Sequence, residues 1–183
     1  MAMIRTRRSR PKWPFKGCVP ITMDVKRKWE GLDWSIVVAM APNRVIGKNN
    51  QLPWHYKEDL RWFRQLTKGH TVLMGRKTYQ SIGKALPHRR NLVLSKQQLT
   101  LPDAEVLASL EQAIALTEGM SHVFVIGGER IYKQTLPCCS KVYLTRIKVD
   151  YEGDTFFPSF EHQFRPPEVL LETEELIIEK YVR

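Results

Sequence analysis

From Trp34 onward the apolar positions come in short runs, separated by polar stretches marked with glycine or proline. Four runs are continuous and rich in β-branched residues: WSIVVAMA (34–41), HTVLMG (70–75), RNLVLS (90–95) and SHVFVIGG (121–128). They are too short for free helices and predict strands buried on both faces. Between them the spacing becomes helical. KEDLRWFRQLT (57–67) is closed by Gly69, and RKTYQSIG (76–83) ends at its own glycine. SLEQAIALTEG (109–119) has Ser109 as N-cap and Gly119 as C-cap, and ERIYKQTL (129–136) stops before Pro137. KVYLTRIKV (141–149) alternates as a strand, and EVLLETEELIIEKYV (168–182) predicts an antiparallel hairpin turned near Thr173–Glu175. The order predicts an α/β fold. One domain over residues 34–183 would hold a central, mostly parallel twisted sheet that ends in an antiparallel C-terminal hairpin, with helices on both faces. PNRVIGKNNQLPW (42–54) reads as a loop, long enough to suggest a role beyond connection. Ligands of such sheets sit outside the carboxyl ends of the strands. That rule selects the loop after residue 41, Gly75 to Thr78, Ser95-Lys96 and Gly127-Gly128.

Composition adds bounds. With 183 residues, 43% hydrophobic and 10% aromatic, the chain can bury a real core, which excludes wholesale disorder. The net charge of +10 is uneven: residues 1–33 hold nine of the 29 Lys and Arg but three of the 19 acids. They are expected to form a flexible basic extension, or a translated leader with Met23 as an alternative start. The stretch lacks the apolar region of a signal peptide, and Pro11, Pro14 and Pro20 work against the amphipathic helix of a transit peptide. A basic run alone is weak evidence for nucleic acid. No apolar run approaches the roughly 20 residues of a membrane span. Cys18, Cys138 and Cys139 make no disulfide framework, and the adjacent pair Cys138-Cys139, which lacks C-x-x-C spacing, reads as reduced thiols in a cytoplasmic protein. None of the five histidines is paired at metal-ligand spacing, so no metal site is expected.

Candidate chemistry starts in LPWHYKEDLRWF (52–63), where Glu58 and Asp59 lie among aromatic residues. At about 100° per residue, Leu60, Trp62, Phe63 and Leu66 span roughly 160°, with Asp59 near the middle of the arc and Glu58 at its edge. Glu58 is then an ordinary first-turn acid. A buried lone carboxylate is costly unless paired. Asp59 is therefore either a structural acid satisfied by backbone amides or a buried hydroxyl, or an anchor for a cationic or amidine-like ligand group. MGRKT fails the Walker spacing, and IGGERIY keeps only two adjacent glycines of a Rossmann fingerprint. Each still sets a glycine turn between a strand end and a helix start, where backbone amides favour phosphate. Together with Arg76, Lys77 and Lys96, the two turns predict a phosphate-rich cofactor such as NADP. In PHRRN (87–91), one of Arg89 and Arg90 is expected to face solvent; the alternative is a fork for a substrate carboxylate.

Taken together, NRVIGKNNQLPW, the helix with Asp59, MGRKTYQSIGKALPHRRN, VIGGERIY, YLTRI and EGDTFFP occur in the order and spacing of one family. Over essentially all of residues 34–183 the chain resembles dihydrofolate reductase of the bacterial type. The resemblance implies hydride transfer from NADPH to C6 of 7,8-dihydrofolate with protonation of N5, supplying tetrahydrofolate to one-carbon metabolism. It implies a monomer that also binds antifolate inhibitors. Asp59 matches the acid that grips the pterin 2-amino and ring nitrogens, acting by orientation and electrostatics while solvent delivers the proton. Thr145 matches its supporting hydroxyl, and Trp54 the tryptophan near the pterin. Ile46, Gly47 and Leu52 match a mobile loop that closes over the nicotinamide. Phe63, Ile82 and Leu86 match apolar walls, with Val37, Val38, Leu60 and Ile126 as further substrate neighbours. Arg89 matches the arginine for the glutamate α-carboxylate. On the cofactor side stand Ala39, Gly75, Arg76, Lys77, Thr78 and Leu94. Ser95, Lys96, Ile126, Gly127 and Gly128 belong there too, with Glu129, Arg130, Ile131 and Tyr132. Gly127-Gly128 would carry a cis peptide.

Three features depart from the family pattern. Tyr56-Lys57 stands where Leu-Pro is frequent, at the pocket mouth. The terminal hairpin is short, so a brace for the mobile loop is expected to be missing there, leaving Asp154 of EGDT as a brace from the other side. The basic extension has no counterpart. Two alternatives carry different substrates or none: a pyrimidine reductase of riboflavin synthesis on a related fold, and a non-catalytic pteridine- or nucleic-acid-binding protein. Turnover of dihydrofolate separates them.

Overall fold

The computed structural model of the chain describes residues 32–120 and 122–183. The expectations for residues 1–31, including Cys18 and the alternative start at Met23, lie outside the described residues, as does Ser121. Eight strands form one sheet: β1 (Trp34–Met40), β3 (Thr71–Gly75), β4 (Arg90–Leu94), β5 (Glu105–Leu107), β6 (Val123–Gly127), β7 (Lys141–Ile147), β9 (Glu168–Glu172) and β10 (Leu176–Val182). Their spatial order is β5-β4-β3-β6-β1-β7-β10-β9. The first six in that order run parallel. β10 is antiparallel to β7, and β9 to β10, so the C-terminal hairpin closes the sheet as the hydrophobic pattern predicts.

The period-2 alternation of the strands sorts the core into layers. Along β1, Trp34, Ile36, Val38 and Met40 face one way. They pack with Ala113 and Ile114 of α3 (Leu110–Thr117), with Tyr132 of α4 (Glu129–Thr135), and with Leu136 just beyond it. Val37 faces the other way, with Val72, Met74, Val93 and Phe124. Phe63 and Leu66 of α1 (Lys57–Thr67) and Tyr79 of α2 (Arg76–Ile82) cover that side. Helices therefore lie on both faces. A third apolar group, Ala41, Val45, Trp54, Ile147, Leu176 and Ile178, sits where β1 and β7 end.

Most helix signals match their structure, although α3 ends at Thr117 with Glu118 as its C-cap, and Gly119, expected in that role, lies one residue beyond at φ +75°. Ser109 accepts a hydrogen bond from the Gln112 amide at 3.3 Å, and Gly83 closes α2 in the left-handed region at φ +85°. Three short strands have no counterpart in the sequence reading. β5 is a triplet held at the sheet edge by pairing with β4 and by Arg90, whose guanidinium makes two bonds to Glu105 at 2.6 and 2.8 Å. β2 (Val45–Gly47) lies inside the expected loop 42–54 and pairs with β8 (Thr155–Phe156), far away along the chain. Such pairings rest on long-range contacts that local periodicity does not encode. The strand expected over 141–149 ends at Ile147, and Val149 is exposed.

Candidate active site

The sheet and α1 converge on Asp59. Asp59 and Thr67 are the buried residues of α1, with Phe63 and Leu66 half-buried beside them. These four lie within about 100° on the helical wheel. Leu60 falls 100° to one side of Asp59 and is 42% exposed, so it joins none of the packed groups, contrary to its expected place on the inward arc. Glu58 is half-buried at the rim. Asp59 itself is 7% exposed, and burial pushes its carboxyl above the ordinary carboxylate range, while the Thr145 side chain, bonding to it, pulls partly back. Thr145 sits on β7 opposite Ala39 of β1, on the strand face opposite to Leu144. The expectation of a buried hydroxyl as partner for Asp59 is thus met by a named residue. Tyr132 is also close. Burial and the Asp59 charge raise its phenol above the ordinary range, and its hydroxyl donates to the Val37 carbonyl at 2.8 Å.

Around this floor the other expected residues take different positions. Val37 is buried on the α1 side of the sheet, and Ala39 lies beside the Trp54 group. Val38, by strand alternation, packs into the opposite layer, so its side chain does not share the Asp59 face. Trp54 is 7% exposed, and its Nε1 is buried with no hydrogen-bond partner among the described residues. Leu86 and Ile126 pack at the margin of the Val37 layer. Leu52 and Ile82, like Leu60, are large apolar side chains left outside the core, at 49% and 37% exposure. Apolar surface of this kind beside a buried carboxylate suits a flat ligand with a polar edge.

The two strand-end glycine turns meet. β3 and β6 are neighbours, with Met74 paired to Gly127. A Cβ on Gly127 would lie 2.4 Å from Thr78 Cγ2, and one on Gly128 would lie 3.7 Å from Gly75 Cα. Gly127 thus has no room for a side chain against Thr78, and Gly128 brings its turn into ordinary contact distance of Gly75. The expected cis peptide is absent: no peptide bond among the described residues is cis, and Gly128 makes the turn at φ +97° and ψ 113°, which glycine adopts without a Cβ penalty. Neither α2 nor α4 has a side-chain cap, so the first-turn amides of both remain available. Arg76 bonds Gln80, Lys77 and Arg130 are exposed, and Glu129 pairs with Lys133. Ile131 packs beneath both glycine turns. At the end of β4, Leu94 and Ser95 are buried and Lys96 is exposed. The Ser95 hydroxyl turns the chain by bonding Gln97. A groove of about 460 Å³ opens there, lined by Ser95, Lys96, Gln98, Thr100 and Gln112 among others.

Arg89 and Arg90 separate as their adjacency demands. Arg90 is engaged by Glu105. Arg89 donates to Thr67 Oγ1 at 2.9 Å and to the Pro87 carbonyl, with its guanidinium carbon 5.7 Å from the Phe63 ring. Among the described residues Arg89 forms no ion pair with an acid; burial and the neighbouring Arg64 charge lower its pKa.

The loop after β1 is held from one side. Ile46 packs on the core, and Gly47 lies in β2. Asp154 accepts from the Asn49 amide at 2.9 Å, its own amide donates to the Gly47 carbonyl, and Lys48 pairs with Glu152. Asp154 therefore braces the loop as expected. Sequence reasoning did not single out Asp150, which accepts from the Asn43 amide, or Gly153, where a Cβ would come within 2.3 Å of Val45 Cγ1 and 2.6 Å of the Gly47 carbonyl. It also missed Tyr151, whose hydroxyl meets that of Tyr56 at 3.0 Å. The glycine and the two flanking acids of YEGDT were the available signal. The terminal hairpin turns through Thr173–Glu175 alone.

Residues 33–170 match the family model described as dihydrofolate reductase. The dihydrofolate reductase of Staphylococcus haemolyticus is 46% identical over 131 residues, 71% of this chain and 79% of that protein. That of Haemophilus influenzae is 46% identical over 127 residues, 69% of this chain and 79% of the relative. A solved dihydrofolate reductase from Enterococcus faecalis, complexed with NADP(H) and RAB-propyl, superposes with a TM-score of 0.75 at 30% identity, covering 82% of this chain and 96% of that one. The chain belongs to the dihydrofolate reductase family.

Proposed function

We infer that the chain catalyses NADPH-dependent reduction of 7,8-dihydrofolate to 5,6,7,8-tetrahydrofolate. The observation that carries this is the buried Asp59 backed by Thr145, on a sheet whose neighbouring strands β3 and β6 both end in glycine turns. NADPH, when bound, supplies the hydride. Its phosphates would be held by Arg76, Lys77, Thr78, Ser95 and Lys96 and by the uncapped amides of α2 and α4, where the glycines admit close approach.

Asp59 would accept hydrogen bonds from the 2-amino and adjacent ring nitrogen of the pterin. This ligand edge supplies the donors that its burial calls for, and it fixes the ring face toward the nicotinamide site. The ionised carboxylate favours positive charge on the ring as N5 takes its proton from solvent. Phe63 would cover one ring face, and Leu60, Ile82 and Leu86 would line the path outward. Arg89, with no acid paired to it among the described residues, would take the substrate α-carboxylate. Closure of the loop around Ile46, Gly47 and Leu52 would exclude water. Antifolate inhibitors would occupy the pterin position. A pyrimidine substrate has no carboxylate for Arg89, so the riboflavin-pathway alternative is not favoured. We further infer a cytoplasmic monomer, in keeping with the buried Cys139 thiol, whose ionisation burial suppresses; sedimentation of the full chain tests the monomer.

Loss of NADPH absorbance on adding dihydrofolate to the full chain tests the activity. Absence of turnover, with the folded state verified by circular dichroism, would overturn it.

A further inference from the structure

Tyr56 and Tyr151 join two parts of the site that the chain otherwise connects only through long paths. Tyr56 is the residue just before α1, and its carbonyl accepts the first helical bond, from the Leu60 amide at 3.2 Å. Tyr151 belongs to the segment 148–154 that holds the loop after β1. Its own carbonyl accepts from Asn43 Nδ2 at 2.8 Å, while Asp150, Glu152 and Asp154 on either side hold Asn43, Lys48 and Asn49. The two tyrosine hydroxyls lie 3.0 Å apart, and the Tyr151 ring meets the Trp54 indole edge-on with centroids 5.1 Å apart. One side chain therefore touches the tryptophan of the candidate site, the start of the helix that carries Asp59, and, through its main chain, the base of the closing loop. All three residues pack against the apolar group of Ala41, Val45, Ile147, Leu176 and Ile178, apart from the two main layers of the core.

On the basis of the dihydrofolate reductase activity inferred above, we propose that Tyr151 is a positioning residue. Through its hydroxyl bond to Tyr56 and its ring contact with Trp54, it ties the placement of the loop at residues 43–51 to the orientation of the indole and the start of α1. The coupling depends on the Tyr56 hydroxyl, which a leucine at this position would not offer. The hydrogen bond to Tyr151 pushes the Tyr56 phenol up to about 12. The effect of this clasp is geometric.

The test is a double-mutant cycle of Tyr56→Phe and Tyr151→Phe in the full chain. Both substitutions keep the rings and remove one hydroxyl each. The single-turnover hydride-transfer rate, the KM values and the indole N–H resonance of Trp54, assigned by its loss in Trp54→Phe, are read together. Each single variant is expected to shift the Trp54 resonance and slow hydride transfer about two- to tenfold, with the KM for NADPH unchanged, and the double variant to be no slower than either single. An unmoved Trp54 resonance, or a rate within experimental error of wild type, overturns the proposal. So does strict additivity of the two substitutions, which would mean that the hydroxyls act independently. If the unsubstituted chain does not turn over dihydrofolate, the inferred activity fails by itself, and the resonance shifts still decide whether the clasp positions Trp54.

Discussion

The Asp59 floor and the loop at residues 43–51 are built in opposite ways. Asp59 and Thr145 are held by the sheet and α1, nearly out of contact with water, and the fold keeps the carboxylate there against its desolvation. The loop is anchored to the core by Val45 and Ile46, but its exposed positions are held by polar contacts: Lys48 with Glu152, the Asn49 amide with Asp154 and the Asn43 amide with Asp150. Contacts of that kind exchange with water at little net cost. Under the proposed function the contrast has a use: the group proposed to hold the pterin in one orientation is fixed by burial, and the segment proposed to close over the site is fixed in part by bonds that water can replace.

Substitution of Asp59 should break the first half of that contrast. Asp59→Asn keeps the shape and removes the charge. Hydride transfer at neutral pH is expected to fall on the order of 10²- to 10³-fold. The same change should stabilise the ligand-free protein. The folded pKa of Asp59 lies above its unfolded value, so the native state prefers the protonated form. Stability falls as pH rises from the unfolded pKa through the folded pKa, and the penalty persists above it. Thermal melting at pH 7 should therefore show Asp59→Asn with the higher midpoint, by roughly 2–4 °C per kcal/mol relieved. The gain should vanish once the pH drops below the unfolded pKa. An unchanged rate would remove Asp59 from the site; an unchanged midpoint would mean that Thr145 already offsets the burial in full.

At the outer end, Arg89→Leu is expected to raise the KM for dihydrofolate about ten- to a hundredfold, the loss of one charge-assisted pair, and to leave kcat nearly intact. The KM for a pterin lacking the glutamate should not move. A similar loss for both substrates would show that Arg89 serves only to pack on Phe63 and hold Thr67.

Gly153→Ala tests the loop half. A Cβ there meets Val45 and the Gly47 carbonyl, so β2 and β8 must separate. The expected outcome is about a tenfold slower hydride transfer with a modest drop in melting midpoint, because of the buried residues at this pair only Val45 is struck directly and the two main core layers are untouched. A large drop in the midpoint with a normal rate would instead make β2–β8 a structural staple.

What was legible in the sequence follows the range of the interactions. The inward turn of Asp59 is visible in its wheel position, because helical periodicity is local, and the parallel sheet follows from four short apolar runs. The meeting of Gly75 with Gly127-Gly128 needed the strand order, which places β6 between β3 and β1 although the chain passes through β4 and β5 first. β2 and β8 were hidden because each is too short to show a period and neither exists without the other. The Tyr56–Tyr151 clasp was hidden for the same reason: two tyrosines 95 positions apart carry no mutual signal in one sequence. Leu60 was misplaced because an arc drawn through apolar residues gives each equal weight, whereas the helix actually turns its Asp59–Phe63–Thr67 line inward.

The smallest effect should come from the other arginine, and it sharpens the comparison at the scale of one peptide unit. Arg90 makes a two-pronged pair with Glu105, but the side chains are 34% and 49% exposed, so solvent screens the attraction. Arg90→Ala is expected to lower stability by about 0.2–1 kcal/mol in denaturant unfolding. KM and kcat should stay within twofold of wild type. The pair pins β5 to the edge of the sheet, away from Asp59, and a lost edge contact frays β5 without reaching β3 or β6. Arg89 has the reverse profile: no acid among the described residues neutralises it, so its removal should register in substrate affinity and hardly in unfolding. If Arg90→Ala instead raised the KM for dihydrofolate as strongly as Arg89→Leu, the carboxylate would be read by both arginines, and the division between an edge residue and a site residue would fail.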